Sequence, residues 1–475
     1  MLISPPTTRM IGGWASGAQE RAAPIRDGGG VFSPPSLGIL YLAACAETLK
    51  GVQVQVMGAQ DATHDQVREK IAEYQPDVVG IGTMVFTLID ALDVAHTVRC
   101  VAPHAKIVFG GIHPTIYPKE TINFPDVDYL IRGEGEYSFK HLLDALSHGG
   151  DIEAIPGVVS KQTQYPESVK PQIIENLDDL PPPAWHLVEG NLQIQVTGKQ
   201  YMSVFSSRGC VGKCAFCNLQ SYVRRFRGHS ANYVFNHIKT INNKYGVKGV
   251  FFWDDCFTLD KRRVLEFCRL MTESHLQVKW KCFSRIDTVD AEMLHSMVKA
   301  GCCGVEFGIE SGDPRIQGVI RKHLDLGKVR RVISMAYDCG LTTNAFFMIG
   351  HPTEGVKEIR NTMKFMRSLP LHYICLSIFA PLPHTDAYLD GLRTRIIKND
   401  YWQAFAELPA PDFKLKFWNE IFTDDELRYW YKKIQRSFYF RWIYIWRGFL
   451  IVYKRKQILF GIKWYIQKIY DGWRR

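Results

Sequence analysis

Short apolar runs alternate with amphipathic stretches along the first 145 residues. Val52–Met57, Val78–Ile81 and Ile107–Phe109 have the composition of buried strands. Between them, Gln66–Tyr74 and Ala91–Val101 carry apolar residues at helical spacing. This alternation predicts an open parallel sheet with helices on both faces, in which ligands bind beyond the carboxyl ends of the strands.

A second series of strand and helix patterns continues to about residue 390. It contains six βα units, which predicts a partial (β/α)6 barrel, because a complete barrel of eight units normally needs about 250 residues. A polar, proline-rich passage between the two series predicts a linker. The expected parts of this α/β chain are a Rossmann-like (flavodoxin-like) domain at 1–145, a linker at 146–195, a partial TIM barrel at 196–390 and a helical region at 391–475. The predicted barrel strands are Met202–Ser206, Gly249–Trp253, Lys279–Phe283, Gly304–Ile309, Thr343–Ile349 and Ile374–Phe379.

The net charge of +10 is confined to one end of the chain. Residues 427–475 carry thirteen lysines and arginines and one acid, so the other residues together have a charge of −2. We find neither a signal-peptide pattern nor an apolar run of about 18 residues, which predicts a cytoplasmic protein. In that compartment clustered cysteines more often bind metal or do redox chemistry than form disulfides.

Cys210, Cys214 and Cys217 are the most informative residues of the sequence. They lie on one loop directly after the first predicted barrel strand, so all three thiols can face one small object. Thiolates suit iron–sulfur clusters or zinc. A structural zinc site normally has four ligands, and no second cysteine or histidine pair follows at the usual distance. The spacing therefore favours a [4Fe–4S] cluster with one open iron, with Arg208 and Lys213 adding positive charge nearby.

This CxxxCxxC pattern, with Phe216 before the last cysteine, resembles the radical S-adenosylmethionine (SAM) superfamily. The resemblance implies that SAM chelates the open iron and is cleaved by electron transfer to a 5′-deoxyadenosyl radical. It also implies an external electron donor of the flavodoxin or ferredoxin type. Four later segments match the superfamily in order, namely Trp253–Phe257, Ser284–Asp287, Gly308–Gly312 and Met348–Pro352.

The resemblance places the SAM-binding residues at these strand ends. Glu310 and Ser311 are expected to hydrogen-bond the amino group or ribose of SAM, and Arg285 to meet its carboxylate. Arg285 and Asp287 are equally compatible with a surface ion pair. The sixth strand end departs from the usual P-x-P-G-T pattern because His384 replaces the glycine, so the turn or the substrate access differs there. The residues predicted to bind SAM are Phe216, Asp254, Arg285, Gly308, Glu310, Ser311 and Gly350.

The amino-terminal domain resembles the cobalamin-binding domain that is fused to one class of radical SAM enzymes. Its matching segments are glycine-rich loops, and glycines let the backbone approach a large flat ring. Thr83 and Thr87 can donate hydrogen bonds to the amides of that ring. An alternative is a domain that docks on the barrel and binds nothing. The residues predicted to bind cobalamin are Pro35, Leu37, Gly38, Thr83, Thr87, Gly110, Gly111, His113, Pro114, Glu134 and Gly135.

The D-x-H-x-x-G motif, which supplies a cobalt ligand in some cobalamin proteins, is absent from this domain. Asp61 and His64 have the wrong spacing for it. His113 is a candidate ligand, but a histidine in a turn more often satisfies backbone groups. The absence fits cobalt without a protein histidine ligand, as in many members of the class.

Arg428–Arg475 interleaves sixteen aromatic residues with thirteen lysines and arginines. Tyrosine and tryptophan favour membrane interfaces and basic side chains favour anionic headgroups, so one prediction is a peripheral helix on the inner face of the membrane. A second is a helical cap whose aromatic side chains pack on the barrel. Nucleic-acid binding is a third and disfavoured alternative.

These features together predict a cobalamin-dependent radical SAM enzyme that methylates an unactivated carbon of a lipid-like or natural-product substrate. By the resemblance, a substrate radical takes its methyl group from methylcobalamin. Two alternatives stay open: a BchE-like oxidative cyclase that transfers no methyl group, and a sensor that binds cluster and cobalamin without turnover. The sequence singles out no catalytic residue.

Overall fold

The chain forms two α/β units followed by helices, which confirms the predicted fold class. The computed structural model describes residues 1–6, 36–58, 62–188, 194–196, 199–221, 224–418 and 420–441.

The first unit contains a six-stranded sheet in the spatial order β2-β1-β3-β4-β5-β6. All neighbouring strands are parallel except β5 and β6, so the first five strands share one carboxyl edge. Strand β6 lies within the segment that the sequence predicts as a linker. The strands are β1 (Leu2–Ser4), β2 (Val56–Gly58), β3 (Val78–Gly82), β4 (Lys106–Gly110), β5 (Tyr129–Ile131) and β6 (Val158–Ser160). The helices are α1 (Leu37–Ala46), α2 (His64–Tyr74), α3 (Leu88–Val101), α4 (Ile112–Ile116), α5 (Pro118–Asn123) and α6 (Glu136–His148).

The amino terminus forms a central strand of this sheet. Leu2 and Ile3 are buried in it, and the terminal ammonium group of Met1 donates a hydrogen bond to Val78 O at 2.7 Å. Strand β1 is only three residues long, so it pairs three residues of the edge strand β2. The strand predicted at Val52–Met57 is therefore shorter and later than expected.

The second unit is a curved sheet in the order β15-β14-β13-β12-β11-β8-β7. Six of its strands, β8 and β11 to β15, are parallel, which confirms the partial barrel. The strands, including the separate hairpin β9–β10, are β7 (Ile194–Val196), β8 (Lys199–Val204), β9 (Ser207–Arg208), β10 (Arg227–Gly228), β11 (Gly249–Phe252), β12 (Lys279–Arg285), β13 (Cys302–Glu310), β14 (Thr342–Ile349) and β15 (Tyr373–Ile378). The helices are α7 (Ala231–Tyr245), α8 (Lys261–Glu273), α9 (Ala291–Lys299), α10 (Pro314–Val319), α11 (Leu326–Asp338) and α12 (Val356–Ser368).

Side chains of the barrel strands alternate between two faces. Trp280 and Cys282 of β12 are fully buried in the core beneath the helices. Phe283 and Arg285 of the same strand, and Phe346 of β14, stay partly exposed although their strands lie inside the sheet. These side chains must therefore face the concave side of the barrel.

Three helices follow the barrel, α13 (Asp386–Arg393), α14 (Tyr401–Glu407) and α15 (Asp424–Tyr439). The apolar face of α15 packs into the barrel core, and Tyr439 Oη exchanges hydrogen bonds with the backbone of Ile374 at 3.1 and 3.3 Å. The start of the aromatic tail thus caps the barrel. Residues 442–475, on which the membrane prediction largely rests, lie outside the described residues. Among the helices described, none has the length and apolar character needed to cross a membrane.

Candidate active site

The cysteine loop, residues 209–217, begins where β9 ends. Two neighbouring aspartates after β11 hold its start. Asp254 is buried and accepts hydrogen bonds from Ser206 N at 2.7 Å and from the hydroxyls of Ser206 and Ser207. Asp255 accepts the first N–H group of the loop at 2.8 Å. Asp254 is a predicted SAM-binding residue, but both of its carboxylate oxygens accept hydrogen bonds from Ser206 and Ser207, which lead into the loop.

Two of the three cysteines of the loop, Cys214 and Cys210, lie close to Arg285. Cys214 is buried, and Cys210 and Cys217 are half-buried. Arg285 Nη1 lies 3.6 Å from Cys214 Sγ, while its Nε and Nη2 donate to the carboxylate of Asp287 at 2.9 and 2.7 Å. The predicted ion pair therefore forms, and the guanidinium group also faces the thiols.

Within the described ranges, no group of three or more histidine, cysteine, aspartate or glutamate side chains is arranged so that it could hold a single metal ion. A four-iron cluster is larger than one ion and needs only three cysteines on one loop to hold three of its irons. Three cysteine thiols on one loop, with a guanidinium group beside Cys214, fit an anionic cluster of this kind.

Glu310 at the end of β13 forms a buried ion pair. Its carboxylate accepts a hydrogen bond from Lys322 Nζ at 2.8 Å, and its backbone is left-handed, with φ 69°. Gly308 lies beneath the pair, since a Cβ there would be 2.7 Å from Lys322 Nζ. By contrast, Ser311 directs its hydroxyl to Thr362 Oγ1 at 3.0 Å, so this predicted SAM-binding side chain is engaged within the fold.

Phe216 lies against the end of the fifth barrel strand. Its ring centroid is 6.5 Å from that of His351, which follows Gly350. Burial lowers the pKa of His351 to about 3, so the ring is neutral. The side chain of Glu354 accepts hydrogen bonds from Gly350 N at 2.6 Å and His351 N at 3.0 Å, and burial raises its pKa to about 8. Gly350 is thus held in its left-handed turn, with φ 81°.

A cavity of about 350 Å³ lies between the carboxyl edge of the first sheet and the mouth of the barrel. A Cβ built at Gly110 would have no atom within 4 Å, so the backbone there is open to the cavity. Large apolar side chains of both units cover much of the remaining wall, including Ile39, Phe139, Phe205 and Trp253. Five of the predicted cobalamin-binding residues line it: Gly38, Gly110, Gly111, Glu134 and Gly135.

The other predicted cobalamin residues do not line this cavity. Thr83 and Thr87 direct their hydroxyls to backbone carbonyls of their own turn, at 3.3 and 3.4 Å. Leu37 and Pro114 pack away from it, and Pro35 lies outside the described residues.

His113 is also absent from the cavity wall. It is fully buried beside Tyr117, with ring centroids 5.4 Å apart, and burial lowers its pKa to about 3. Neither ring nitrogen has a hydrogen-bond partner within the part of the chain that the structure describes. The expectation that this histidine satisfies backbone groups is therefore wrong for the described residues.

Four charged side chains join the two units beside the cavity. Arg227 binds Glu134 through two hydrogen bonds of 2.7 Å, and Arg208 binds Glu136 at 2.6 Å and lies 3.4 Å from Glu134. All four are largely buried. Burial alone would raise the pKa of Glu134, but the hydrogen bonds of Arg227 and the charge of Arg208 hold it below its ordinary value.

This charge network changes two sequence expectations. The sequence predicts that Arg208 adds positive charge near the cluster, and in the structure its guanidinium group pairs with Glu136 and Glu134 of the first unit. Glu134 was expected to contact cobalamin, and its carboxylate instead binds Arg227 and, at 2.6 Å, Ile174 N. Arg227, Lys322 and Asp255 were missed by the sequence reasoning. Arg227 and Asp255 act on residues 93 and 46 positions away, and Lys322 acts on Glu310 across 12 residues and an intervening helix. Only the adjacency of Asp255 to Asp254 offered a local signal.

Comparison with known proteins agrees with this architecture. Residues 31–143 match the family of B12 binding domains, and residues 204–366 match the radical SAM superfamily. A protein of Pyrococcus horikoshii named as an uncharacterized methyltransferase is 31% identical over 415 residues, which are 87% of this chain and 89% of the relative. The anaerobic magnesium-protoporphyrin IX monomethyl ester cyclase of Rubrivivax gelatinosus is 25% identical over 80% of this chain and 70% of its own.

Solved structures of the same architecture are also similar. The radical SAM methyltransferase TsrM of Kitasatospora setae superposes with a TM-score of 0.66 at 16% identity, covering 83% of this chain and 76% of that one. The cobalamin-dependent radical SAM enzyme OxsB gives 0.62, also at 16% identity, over 76% and 53% of the two chains.

The chain therefore belongs to the cobalamin-dependent radical SAM methyltransferase family. Its cofactors are a [4Fe–4S] cluster, SAM and cobalamin. This confirms the predicted enzyme class and cofactors.

Replacing Arg227 by methionine should destabilise the protein strongly, because it leaves Glu134 buried without its bidentate partner. Removing one partner of a buried pair typically costs about 3–5 kcal/mol. We expect a clear drop in melting temperature by circular dichroism, partly reversed when Glu134→Gln is added. Arg269→Met is the control, because Arg269 binds the carboxylate of Glu266 through two hydrogen bonds and also pairs with Glu273, but on the exposed surface. This substitution should change the melting temperature little. Equal drops in both single variants would contradict the role of the network.

Proposed function

We propose that Cys210, Cys214 and Cys217 hold the [4Fe–4S] cluster and that Phe216, Arg285 and Glu310 hold SAM beside it. The support is geometric: the guanidinium group of Arg285 already faces the thiols. A SAM carboxylate there would be attracted to Arg285. The carboxylate of Glu310, on the neighbouring strand end, suits the SAM amino group.

The cavity between the two units is our proposed cobalamin site. It is supported by the open backbone at Gly110 and by the position of the cavity at the carboxyl edge of a parallel sheet, where such sheets bind ligands. His113 does not line it, which favours cobalt without a histidine ligand from this position.

The single observation that supports the proposed reaction is that the proposed cobalamin cavity is lined in part by the residues that lead into the cysteine loop. Arg208 and Gly209, which lead into the cysteine loop, line the same cavity as Gly110 and Gly135 of the first unit. When bound, the cofactors supply a hydrogen-abstracting radical and a transferable methyl group. The chain orients both on one substrate carbon, while the apolar side chains of Phe205 and Trp253 at the barrel mouth exclude water.

We propose that the substrate is a lipid-like or natural-product molecule with an apolar body. Trp253 is 41% exposed at the mouth of the barrel. Its ring centroid is 5.0 Å from that of Phe251 and 5.4 Å from that of Phe283, and Phe346 is 5.8 Å from Phe283. This aromatic wall on the concave face suits an apolar substrate better than a highly charged one.

Oxidative cyclisation without methyl transfer is the second candidate. It is favoured by the similarity of most of the chain to relatives named as ester cyclases. The methyl-transfer experiment below separates the two reactions.

Cluster binding is tested by Cys210→Ala in anaerobically reconstituted protein. Wild type should bind roughly four irons per chain and show the visible absorbance of an iron–sulfur cluster, and the variant should lose both because two thiolates hold the cluster poorly. Cys268→Ala is the control, because Cys268 is a buried thiol of the α8 core and should keep the iron. An unchanged iron content in Cys210→Ala would overturn the proposed ligand set.

Methyl transfer is tested with SAM that carries a CD₃ methyl group. Cobalamin-loaded enzyme, dithionite and a lipid and small-molecule extract of the source cells should give 5′-deoxyadenosine and a CD₃-labelled product, detected by mass spectrometry. A flavodoxin or ferredoxin with its reductase should replace dithionite, since we propose an external donor of that type. Formation of 5′-deoxyadenosine with product that carries no label would instead support the cyclase.

We further propose that the basic aromatic segment from residue 442 onward contacts the membrane surface. Full-length protein should float with liposomes that contain anionic lipid, and a chain ending at residue 441 should not, because it lacks most of the aromatic and basic residues. Equal flotation of the two proteins would dispose of this idea.

A further inference from the structure

Lys281 lies in the middle of β12 and points into the barrel. Its neighbours Trp280 and Cys282 are buried on the helix-covered face, so Lys281 projects to the opposite, concave face. Arg285, four residues further on, lies on that same face and reaches Cys214. At about 3.3 Å per residue, Lys281 is roughly 13 Å below Arg285 along the strand.

The ammonium group of Lys281 forms no ion pair with the residues that the structure describes. The residue is 6% exposed, yet no carboxylate of the described residues lies within 4.0 Å of Nζ, and Nζ has no hydrogen bond to them. Its recorded contact is the ring of Tyr201, 5.3 Å away. A buried ammonium group without an anion is unfavourable, and a cation–π contact compensates only part of that cost.

A second buried polar group without a hydrogen-bond partner among the described residues lies level with Lys281 in the sheet. The strand register aligns Ser203, Phe251 and Lys281 on β8, β11 and β12, in one row of the concave face. Ser203 Oγ is buried and has no hydrogen-bond partner among the described residues. Gly304 continues the row on β13. A Cβ there would lie 3.3 Å from Lys281 Cε, so the glycine leaves room for the lysine stem.

Trp253, Phe283 and Phe346 lie between this row and the cysteine loop on the concave face. The same face also carries Glu306, opposite Phe283, and its carboxylate accepts a hydrogen bond from Asn344. A hydroxyl and an ammonium group below an aromatic wall match a molecule with an apolar body and one negatively charged end.

We infer that Lys281 and Ser203 form a subsite for an anionic group of the substrate, a carboxylate or a phosphate, on the floor of the barrel. The substrate is then an amphipathic acid whose apolar part extends along the aromatic wall toward Arg285 and the cysteine loop, which lie roughly 13 Å further along the strand. This inference rests on the proposed function for the statement that the bound molecule is the substrate.

The test uses two matched probes, 1-naphthaleneacetate and its neutral counterpart 1-naphthaleneacetamide. Their binding to the whole protein, reconstituted with cluster and loaded with cobalamin, is measured anaerobically by calorimetry. Cobalamin then occupies the cavity between the two units, so the probes cannot bind there. Wild type should prefer the anion, and Lys281→Met should bind it at least about tenfold more weakly with the amide unchanged. Lys281→Arg should keep the preference. A third probe, 1-naphthyl phosphate, shows which of the two anions the site prefers.

Lys261→Met is the control, because Lys261 is an exposed lysine paired with Asp290 and Glu292; it should bind both probes like wild type. The inference is overturned if the anion does not bind wild type, if its affinity is unchanged in Lys281→Met, or if both probes weaken equally, which indicates a structural role. The outcome is separate from the methylation assay. If the enzyme transfers no methyl group but wild type still prefers the anionic probe, the proposed function is refuted and the anion subsite is not.

Discussion

The pairing of Arg227 and Arg208 with Glu134 and Glu136 is the interaction on which the site depends. Burying four charges is costly, and it is compensated here because each guanidinium group has a carboxylate within 2.7 Å. Glu134 belongs to the turn after β5 and Glu136 begins α6, while the two arginines belong to the hairpin β9–β10. The cavity is therefore closed between the units by charge pairing at the place where the cysteine loop starts.

The same logic of paired buried charges recurs inside the barrel. Lys322 holds Glu310 in a left-handed backbone conformation, which costs about 1–3 kcal/mol for a residue other than glycine unless its surroundings stabilise it. Asp254 and Asp255 hold the chain that enters the cysteine loop. Polar groups that bind nothing within the described chain, such as Lys281 and Ser203, stand out against this background because almost every other buried charge has a partner.

Local pattern predicted most of the fold. The parallel barrel strands begin and end within a few residues of the expected positions, because a strand buried on one face by helices needs apolar residues throughout. Short or edge strands were less predictable. Strand β2 forms only where the three residues of β1 reach it, and β6 pairs in a segment whose prolines and polar residues indicate a linker. Both depend on partners distant in sequence.

The sequence by itself determined the class of enzyme, since three cysteines at one spacing on one loop require no tertiary contact to be recognised as candidate cluster ligands. It also indicated which loops form the site, because parallel strands place their carboxyl ends together. The tertiary structure decided what each side chain does there. It assigned Asp254, Ser311, Thr83 and Thr87 to the support of turns and Glu134 to the joint between units. It also left Lys281 without an ion-pair partner among the described residues. The roles of Asp254, Ser311 and Glu134 depend on groups that meet across 48, 51 and 93 residues, and contacts at that distance leave no local pattern. Thr83 and Thr87 differ, because each binds a carbonyl two or three residues away.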